Sequence, residues 1–234
     1  MIQIIPTNTC PPDSAELSRR MRDFAAFSSC VQLDVDDGVF APEISWPYRE
    51  GQWEELETMA AKGKKLPYSE SVEYETHLMV EEPLGIGGLL ARVGCKRVIP
   101  HIEAFEGEAH IRKAFASWKA AGASEVGLAL LIDTPLSAIG QIVGVCDVVQ
   151  LMSIAKLGYQ GTPFEPSVIA RIAELHENYP NLPIAIDGGV SKDNIADLVR
   201  AGATRFGVGS AISKAPDPKA AYEELKTLAE NAVH

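Results

Sequence analysis

The chain has 234 residues, 46% of them hydrophobic, and a formal net charge of −11. This size and composition fit one α/β domain over residues 1–234, and the acidic balance disfavours nucleic acid as a partner. Because the longest uncharged apolar run, residues 126–132, is too short to cross a bilayer and the N-terminus has no basic leader, we expect a cytoplasmic protein without membrane partners.

Eight short apolar runs alternate with helix-like segments along the chain. They are predicted as β-strands and comprise residues 2–5, 31–35, 72–79, 97–100, 126–132, 148–152, 184–186 and 205–208. Between them, apolar residues recur at helical spacing, for example at Leu17, Met21 and Phe24. Strands that alternate with helices indicate a parallel sheet, and eight such units can close into a (β/α)8 TIM barrel. The alternative is a doubly wound open sheet, but its glycine-rich motif would follow the first strand.

Glycine-rich turns follow the last two predicted strands instead. Asp187, Gly188 and Gly189 follow the seventh strand, and Gly209 and Ser210 follow the eighth. Glycine allows an anion to approach bare backbone N–H groups, and a helix N-terminus adds partial positive charge. Either turn alone would be consistent with a turn that binds nothing. Two such turns after strands seven and eight predict the phosphate site of a (β/α)8 barrel.

Acidic and histidine side chains end several of the predicted strands. Period-two alternation places Asp34 on one face of the second strand, His77 at the tip of the third and Asp187 at the end of the seventh. Carboxylates inside a barrel are costly unless they have partners or a function. This Asp/His/Asp set is suited to a divalent metal ion. For His101 and Glu103, at the end of the fourth strand, we expect a supporting or packing role.

The chain resembles the ribulose-phosphate 3-epimerase family and its allulose-6-phosphate relatives over almost its whole length. The segments that carry the resemblance are Ile5-Pro6-Thr7, Leu33-Asp34-Val35, Asp37-Gly38, Thr76-His77-Leu78-Met79-Val80, His101-Ile102-Glu103-Ala104, Leu151-Met152-Ser153, Ile186-Asp187-Gly188-Gly189-Val190 and Gly209-Ser210-Ala211-Ile212. The resemblance implies a barrel of the ribulose-phosphate-binding type that epimerises a ketose phosphate, such as ribulose 5-phosphate, at C3. It also implies a homo-oligomer that binds a small-molecule sugar phosphate.

The resemblance further implies roles for individual residues. Asp34 and Asp187 are the expected acid–base pair, one removing the C3 proton and the other reprotonating the opposite face. A divalent ion (zinc, manganese or iron), held by Asp34, His77 and Asp187, is expected to bridge the enediolate oxygens. The implied substrate-binding residues are Thr7, His77, Met152, Gly158, Gly161, Gly188, Gly189, Gly209 and Ser210. Inverting a carbon beside a carbonyl does require two facing carboxylates and an electrophile for the oxyanion.

Several positions around the expected substrate depart from the family. Gln32 stands in place of the first metal-binding histidine, Asp36 replaces a methionine above the substrate, and the altered loop after the sixth strand contains Lys156. Asp36 and Lys156 favour a different sugar-phosphate isomerase or lyase as an alternative function. Gln32 favours another alternative, a non-catalytic barrel that binds a phosphometabolite. If a fourth metal ligand is needed, Glu75, on the strand face of His77, is the candidate.

Overall fold

A computed structural model describes residues 2–157 and 162–233 of the chain. Its eight strands are parallel and follow one another around a closed barrel in chain order, with the last strand paired to the first. They are β1 (Gln3–Asn8), β2 (Cys30–Asp36), β3 (Glu73–Met79), β4 (Cys95–Pro100), β5 (Glu125–Leu130), β6 (Val148–Met152), β7 (Ile184–Asp187) and β8 (Arg205–Val208). Each lies at a predicted position, so the (β/α)8 barrel is confirmed and the open doubly wound sheet is excluded.

Helices cover the outside of the barrel. They are α1 (Ser14–Phe24), α2 (Gln52–Ala61), α3 (Pro83–Arg92), α4 (Glu108–Ala121), α5 (Val168–Asn178), α6 (Ile195–Arg200), α7 (Ser210–Ser213) and α8 (Pro218–Asn231). Between β5 and β6 the chain forms 3-10 turns over Leu136–Val145, interrupted at Gly140, where φ is +34°. Among residues 2–157 and 162–233, no helix is long and apolar enough to span a membrane.

The helices bury the apolar faces that their sequence spacing predicts. On α1, Leu17, Met21 and Phe24 all face the core. Helices α3 and α4 pack so closely that a Cβ atom on Gly87 would lie 2.5 Å from the ring of Trp118. Trp118 is fully buried, and its Nε1 donates a hydrogen bond to the carbonyl oxygen of Leu84 at 3.0 Å. Gly87 is therefore required by the contact between the two helices.

An ion network fills the barrel interior near the N-terminal ends of the strands. Arg97 pairs with Glu75, and its Nε lies 2.6 Å from Oε2 of Glu125. The same oxygen lies 2.9 Å from Nη1 of Arg205, so the network joins β3, β4, β5 and β8 across the barrel. The hypothesis that Glu75 could supply a fourth metal ligand is wrong, because its carboxylate is engaged by Arg97 in this network.

An apolar layer lies above the ion network. It consists of Ile99, Ala129, Val148 and Ala185, which form a buried cluster of their own. On β4, Ile99 is two residues after Arg97 and two before His101. Because alternate residues of a strand share one face, the layer separates the charged residues at the start of the strands from the polar residues at their carboxyl ends.

Candidate active site

Three side chains converge at the carboxyl ends of the strands. Asp34 and His77 are register partners on β2 and β3, and Asp187 ends β7. His77 Nδ1 lies 3.0 Å from Oδ2 of Asp187 and 3.7 Å from Oδ1 of Asp34. One potential ligand atom from each of the three residues lies within 4.8 Å of the others. The structure thus brings together the residues that the sequence predicted as an Asp/His/Asp set.

Gln32 bridges the two carboxylates. Its Nε2 donates one hydrogen bond to Oδ1 of Asp34 and one to Oδ2 of Asp187, each 2.8 Å long. The side chain is fully buried, and its Oε1 has no hydrogen-bond partner among the described residues. Two carboxylates in close proximity repel each other, so amide hydrogens between them stabilise the charged pair. Sequence reasoning treated Gln32 only as a weak substitute for a histidine ligand and missed this bridge.

Burial and charge shift the pKa values of the cluster. Burial raises the pKa of Asp34 to about 6. Burial by itself would lower the pKa of His77, but close contact with the negative charges of Asp187 and Asp34 outweighs it and raises that pKa to about 10. Without a metal ion, His77 is therefore an imidazolium ion at neutral pH. Its charge then compensates the two carboxylates.

A chain of side chains leads from His77 towards the rim of the barrel. Nε2 of His77 and Nε2 of His101 are 2.8 Å apart, and His101 Nδ1 lies 3.2 Å from Oε2 of Glu103. Burial lowers the pKa of His101 to about 4, so this ring is neutral. A neutral His101 can accept a hydrogen bond from His77 and donate one to Glu103. The chain keeps Nδ1 of His77 directed at the aspartates, in agreement with the expected supporting role of His101 and Glu103.

Replacing Glu103 with glutamine is expected to lower the melting temperature at neutral pH. Burial alone would raise the pKa of Glu103, but hydrogen bonds from His101, Thr134 and the Leu131 amide lower it from 4.5 to about 2. A carboxylate with a lowered pKa stabilises the folded state above its unfolded pKa, and this contribution is lost as the pH falls through the folded value.

Melting curves recorded from pH 7 down to pH 2 test the role of Glu103. The melting-temperature difference between the unaltered protein and Glu103→Gln should shrink below about pH 4.5. Glu108→Gln is the control, because Glu108 pairs with Arg112 on the exposed surface of α4. A difference for Glu103→Gln that stays constant over this pH range would contradict the assignment.

A cleft opens above the Asp/His/Asp set. All predicted substrate-binding residues within the described ranges line it, namely Thr7, His77, Met152, Gly188, Gly189, Gly209 and Ser210. Gly158 and Gly161 lie outside the described residues. The cleft therefore joins the carboxylates to the glycine turns.

Glycine occupies the positions of these turns for different structural reasons. Gly188 and Gly189 have φ values of +105° and +66°, which disfavour any residue with a Cβ atom. At Gly188 such an atom would also lie 2.7 Å from the side chain of Ile154. Gly209 has a φ of −86°, so a positive φ does not explain glycine at this position. Its ψ of −97° lies outside the helical and extended regions and is one reason for glycine, and close approach of a ligand to the backbone would be a second.

Comparison with known proteins identifies the family. A sequence model described as the ribulose-phosphate 3 epimerase family matches residues 7–213. The ribulose-phosphate 3-epimerase of Aquifex aeolicus (strain VF5) is 34% identical over 207 residues, covering 87% of this chain and 86% of the relative. The enzyme of the same name from Escherichia coli (strain K12) is 28% identical over 222 residues, covering 92% of each chain. The chain belongs to the ribulose-phosphate 3-epimerase family.

Solved structures agree with the fold. The 3-hexulose-6-phosphate synthase of Salmonella typhimurium superimposes with a TM-score of 0.68 at 16% identity, covering 100% of both chains. The orotidine 5'-monophosphate decarboxylase of Sulfolobus solfataricus superimposes with a TM-score of 0.64 at 13% identity, also covering 100% of both chains. At such identities these likenesses support the fold alone. The family membership inferred from sequence motifs is confirmed by the family match.

The two charged departures from the epimerase family do not line the cleft. Asp36 is fully buried behind Cys10, whose Sγ donates a hydrogen bond to Oδ2 of Asp36 at 2.8 Å. Burial raises the pKa of Asp36 to about 7, so its carboxyl group is partly protonated near neutral pH. Cys10 and Met79 line the cleft near this point, whereas Lys156 is exposed and lies outside it. Neither charge is positioned among the cleft residues to replace the family chemistry.

Proposed function

We propose that this protein is a sugar-phosphate 3-epimerase that interconverts ribulose 5-phosphate and xylulose 5-phosphate or a related ketose phosphate pair. The observation that carries the proposal is the juxtaposition of Asp34 and Asp187 beneath a cleft whose wall is formed by the glycine turns. Membership of the epimerase family supports it. The names of the relatives supply a ribulose phosphate as the substrate and C3 as the carbon that is epimerised.

The two aspartates are suited to transfer protons on opposite sides of a carbon atom. In the proposed reaction, one carboxylate removes the C3 proton, and the other carboxyl group delivers a proton to the opposite face. A general acid or base acts best when its pKa lies near the working pH. The raised pKa of Asp34, about 6, meets this condition. Because Asp34 is buried, bulk water does not compete directly for its proton.

The negative charge that develops on the substrate oxygen needs compensation. His77 carries a positive charge beside both aspartates when no metal ion is bound. Thr7 contributes a second polar group, because its buried Oγ1 lines the cleft and has no hydrogen-bond partner in the described part of the chain. A hydroxyl at that position can donate to a substrate oxygen.

The donor set also fits a divalent metal ion. Nδ1 of His77 lies 3.0 Å from Oδ2 of Asp187 and 3.7 Å from Oδ1 of Asp34, so the three donor atoms face one another. Asp34, His77 and Asp187 would hold the ion with one nitrogen and two carboxylate ligands, a set compatible with zinc, manganese or iron. When bound, the ion would supply positive charge to the enediolate oxygens. We expect weaker binding than at a site with two histidines, because Gln32 replaces one of them.

The alternative functions have less support. A different isomerase or lyase would need Asp36 or Lys156 at the substrate, and neither lines the cleft. A non-catalytic phosphometabolite-binding barrel would not need two buried carboxylates held together beneath the cleft. The homo-oligomeric state and the cytoplasmic location stay predictions of the sequence.

Deuterium exchange tests the proposed function directly. The protein, supplied in turn with zinc and manganese, is incubated with ribulose 5-phosphate in D₂O and followed by NMR. We expect loss of the C3 proton signal together with formation of xylulose 5-phosphate. Ribulose without its phosphate is the control and should exchange far more slowly. Absence of C3 exchange on every pentulose and hexulose phosphate tested would contradict the proposal.

A further inference from the structure

The amide of Gln32 has two chemically different ends in one buried place. Its Nε2 carries two hydrogens, one directed at Asp34 and the other at Asp187. Its Oε1 is buried and has no hydrogen-bond partner in the described ranges. A buried amide oxygen without a partner is costly, since it has lost its hydrogen bonds to water. In the observed orientation, the amide thus donates hydrogen bonds to both carboxylates while its own oxygen accepts none from the described residues.

Only one end of an amide can face a cation. The NH₂ group is a donor without a free acceptor pair, whereas the carbonyl oxygen is a ligand for hard divalent ions. A cation held by Asp34, His77 and Asp187 would meet the hydrogens of Gln32 if the amide kept its present orientation. The carboxylates therefore favour one orientation of the amide, and a cation favours the opposite one.

The surroundings of Gln32 allow the amide to turn. Oε1 lies on the side of Gly207, where an added Cβ atom would be 3.1 Å from it and 3.3 Å from Cγ of Asp187. Because this position of β8 is a glycine, it presents no side chain to the amide. The nitrogen and oxygen of an amide have nearly the same size, so a half-turn about the Cγ–Cδ bond exchanges them without repacking the neighbours.

We propose that Gln32 is a two-state positioning group, whose NH₂ bridges Asp34 and Asp187 in the metal-free site and whose oxygen turns to become a ligand when a divalent cation binds. The inference rests on the proposed function, which gives these two aspartates their acid–base roles. The bridge keeps the carboxylates in place without a cation. Because binding must break two hydrogen bonds to charged groups, the cation is bound less tightly than it would be by a histidine.

Manganese titration of position 32 variants tests the inference without substrate. Gln32→Leu removes both the donor and the ligand, whereas Gln32→Glu keeps a ligand oxygen and loses the donor. We expect Mn²⁺ to bind roughly tenfold or more weakly to Gln32→Leu than to the unaltered protein. We expect Gln32→Glu to bind it more tightly than the unaltered protein. Gln150→Leu is the matched control, because the Nε2 of Gln150 lies 3.4 Å from Oδ2 of Asp187 and, among the described residues, donates no hydrogen bond to Asp34.

Melting temperatures of the metal-free proteins give the second measurement. The unaltered protein should be the most stable, Gln32→Leu less stable because it lacks the bridge, and Gln32→Glu the least stable because three carboxylates meet. Gln32→Glu is thus expected to rank last in metal-free stability and first in Mn²⁺ affinity. A purely structural role of Gln32 would lower both quantities together in both variants.

Three results would overturn the inference. The first is Mn²⁺ binding to Gln32→Leu that is as tight as or tighter than binding to the unaltered protein, since the amide would then only compete with the cation. The second is Mn²⁺ binding to Gln32→Glu that is weaker than binding to the unaltered protein. This result is decisive even if Gln32→Leu does not fold. The third is an unaltered protein that binds no Mn²⁺. In each case C3 exchange on ribulose 5-phosphate is measured separately, so the proposed function can stand when this inference fails.

Discussion

Replacing Asp34 or Asp187 with asparagine is expected to reduce C3 proton exchange by roughly 10²–10⁴-fold. An amide cannot accept the proton that a carboxylate removes. The measurement is the rate at which the C3 proton signal disappears in D₂O, starting separately from ribulose 5-phosphate and from xylulose 5-phosphate. Metal-free melting temperatures of both variants show whether the fold is retained.

Asp34→Asn and Asp187→Asn are expected to impair proton transfer on opposite faces of C3. If each aspartate serves one face of C3, each single variant can still exchange deuterium slowly into one epimer while conversion to the other epimer stops. Asp36→Asn is the matched control, because Asp36 lies nearby on β2 but is buried behind Cys10. It should retain exchange. Full activity in Asp34→Asn or Asp187→Asn would remove that residue from the mechanism and make Asp36 the next candidate.

Replacing Gly209 with valine is expected to weaken binding of the phosphorylated substrate. Gly209 precedes α7, and the N–H groups at the start of a helix have no acceptor within the helix. A hydrogen bond to a charged group contributes about 1.5–3 kcal/mol. If the valine side chain blocks two hydrogen bonds from these N–H groups to the phosphate, kcat/KM should fall by roughly 10²-fold or more. The loss should appear mainly in KM, because phosphate binding holds the substrate before and during proton transfer.

Selectivity for the phosphate distinguishes this effect from general damage. For a ketose without phosphate, Gly209→Val should be nearly as active as the unaltered protein. Gly85→Val is the control, because Gly85 is exposed on α3 and nothing lies within 4 Å of the position of an added Cβ atom. An equal loss on both ketoses would contradict the assignment. So would a crystal soaked with sugar phosphate in which the phosphate lies away from Gly188, Gly189, Gly209 and Ser210.

The barrel and the convergence of its polar residues could be predicted from local pattern. Buried parallel strands are continuous apolar runs, and these runs mark all eight strands. The carboxyl ends of parallel strands meet at one edge, so an aspartate or histidine at a strand end must point into the same region. This rule brought Asp34, His77 and Asp187 together although Asp34 and Asp187 are far apart in the chain.

The contacts between side chains could not be predicted in this way. Gln32 and Asp187 are separated by 155 positions, and their hydrogen bond depends on the diameter of the barrel and on rotamers. The family resemblance put Asp36 above the substrate, but it does not show that Cys10, with a φ of +44°, would lie between Asp36 and the cleft. Side-chain partners across the barrel therefore required coordinates.

One error had a usable signal in the sequence. Glu75 was considered a ligand because it shares a strand face with His77. Opposite charges, however, occur near the starts of four strands, at Glu75, Arg97, Glu125 and Arg205. In a parallel barrel, residues at the starts of the strands lie at the opposite end from residues at the ends of the strands. An ion pair with a neighbouring arginine was thus the better prediction for Glu75.

The apolar layer of the barrel divides its interior into two polar compartments. Ile99, Ala129, Val148 and Ala185 lie between the ion network at the strand starts and the proton-transferring groups at the strand ends. Among the described residues, these hydrocarbon side chains separate Arg97 and Arg205 from the aspartates. Substitutions in the lower compartment can therefore change heat resistance without altering the direct contacts of the aspartates in the upper one. The Gln32 bridge belongs wholly to the upper compartment, where substrate preference and metal use can diverge on an unchanged foundation.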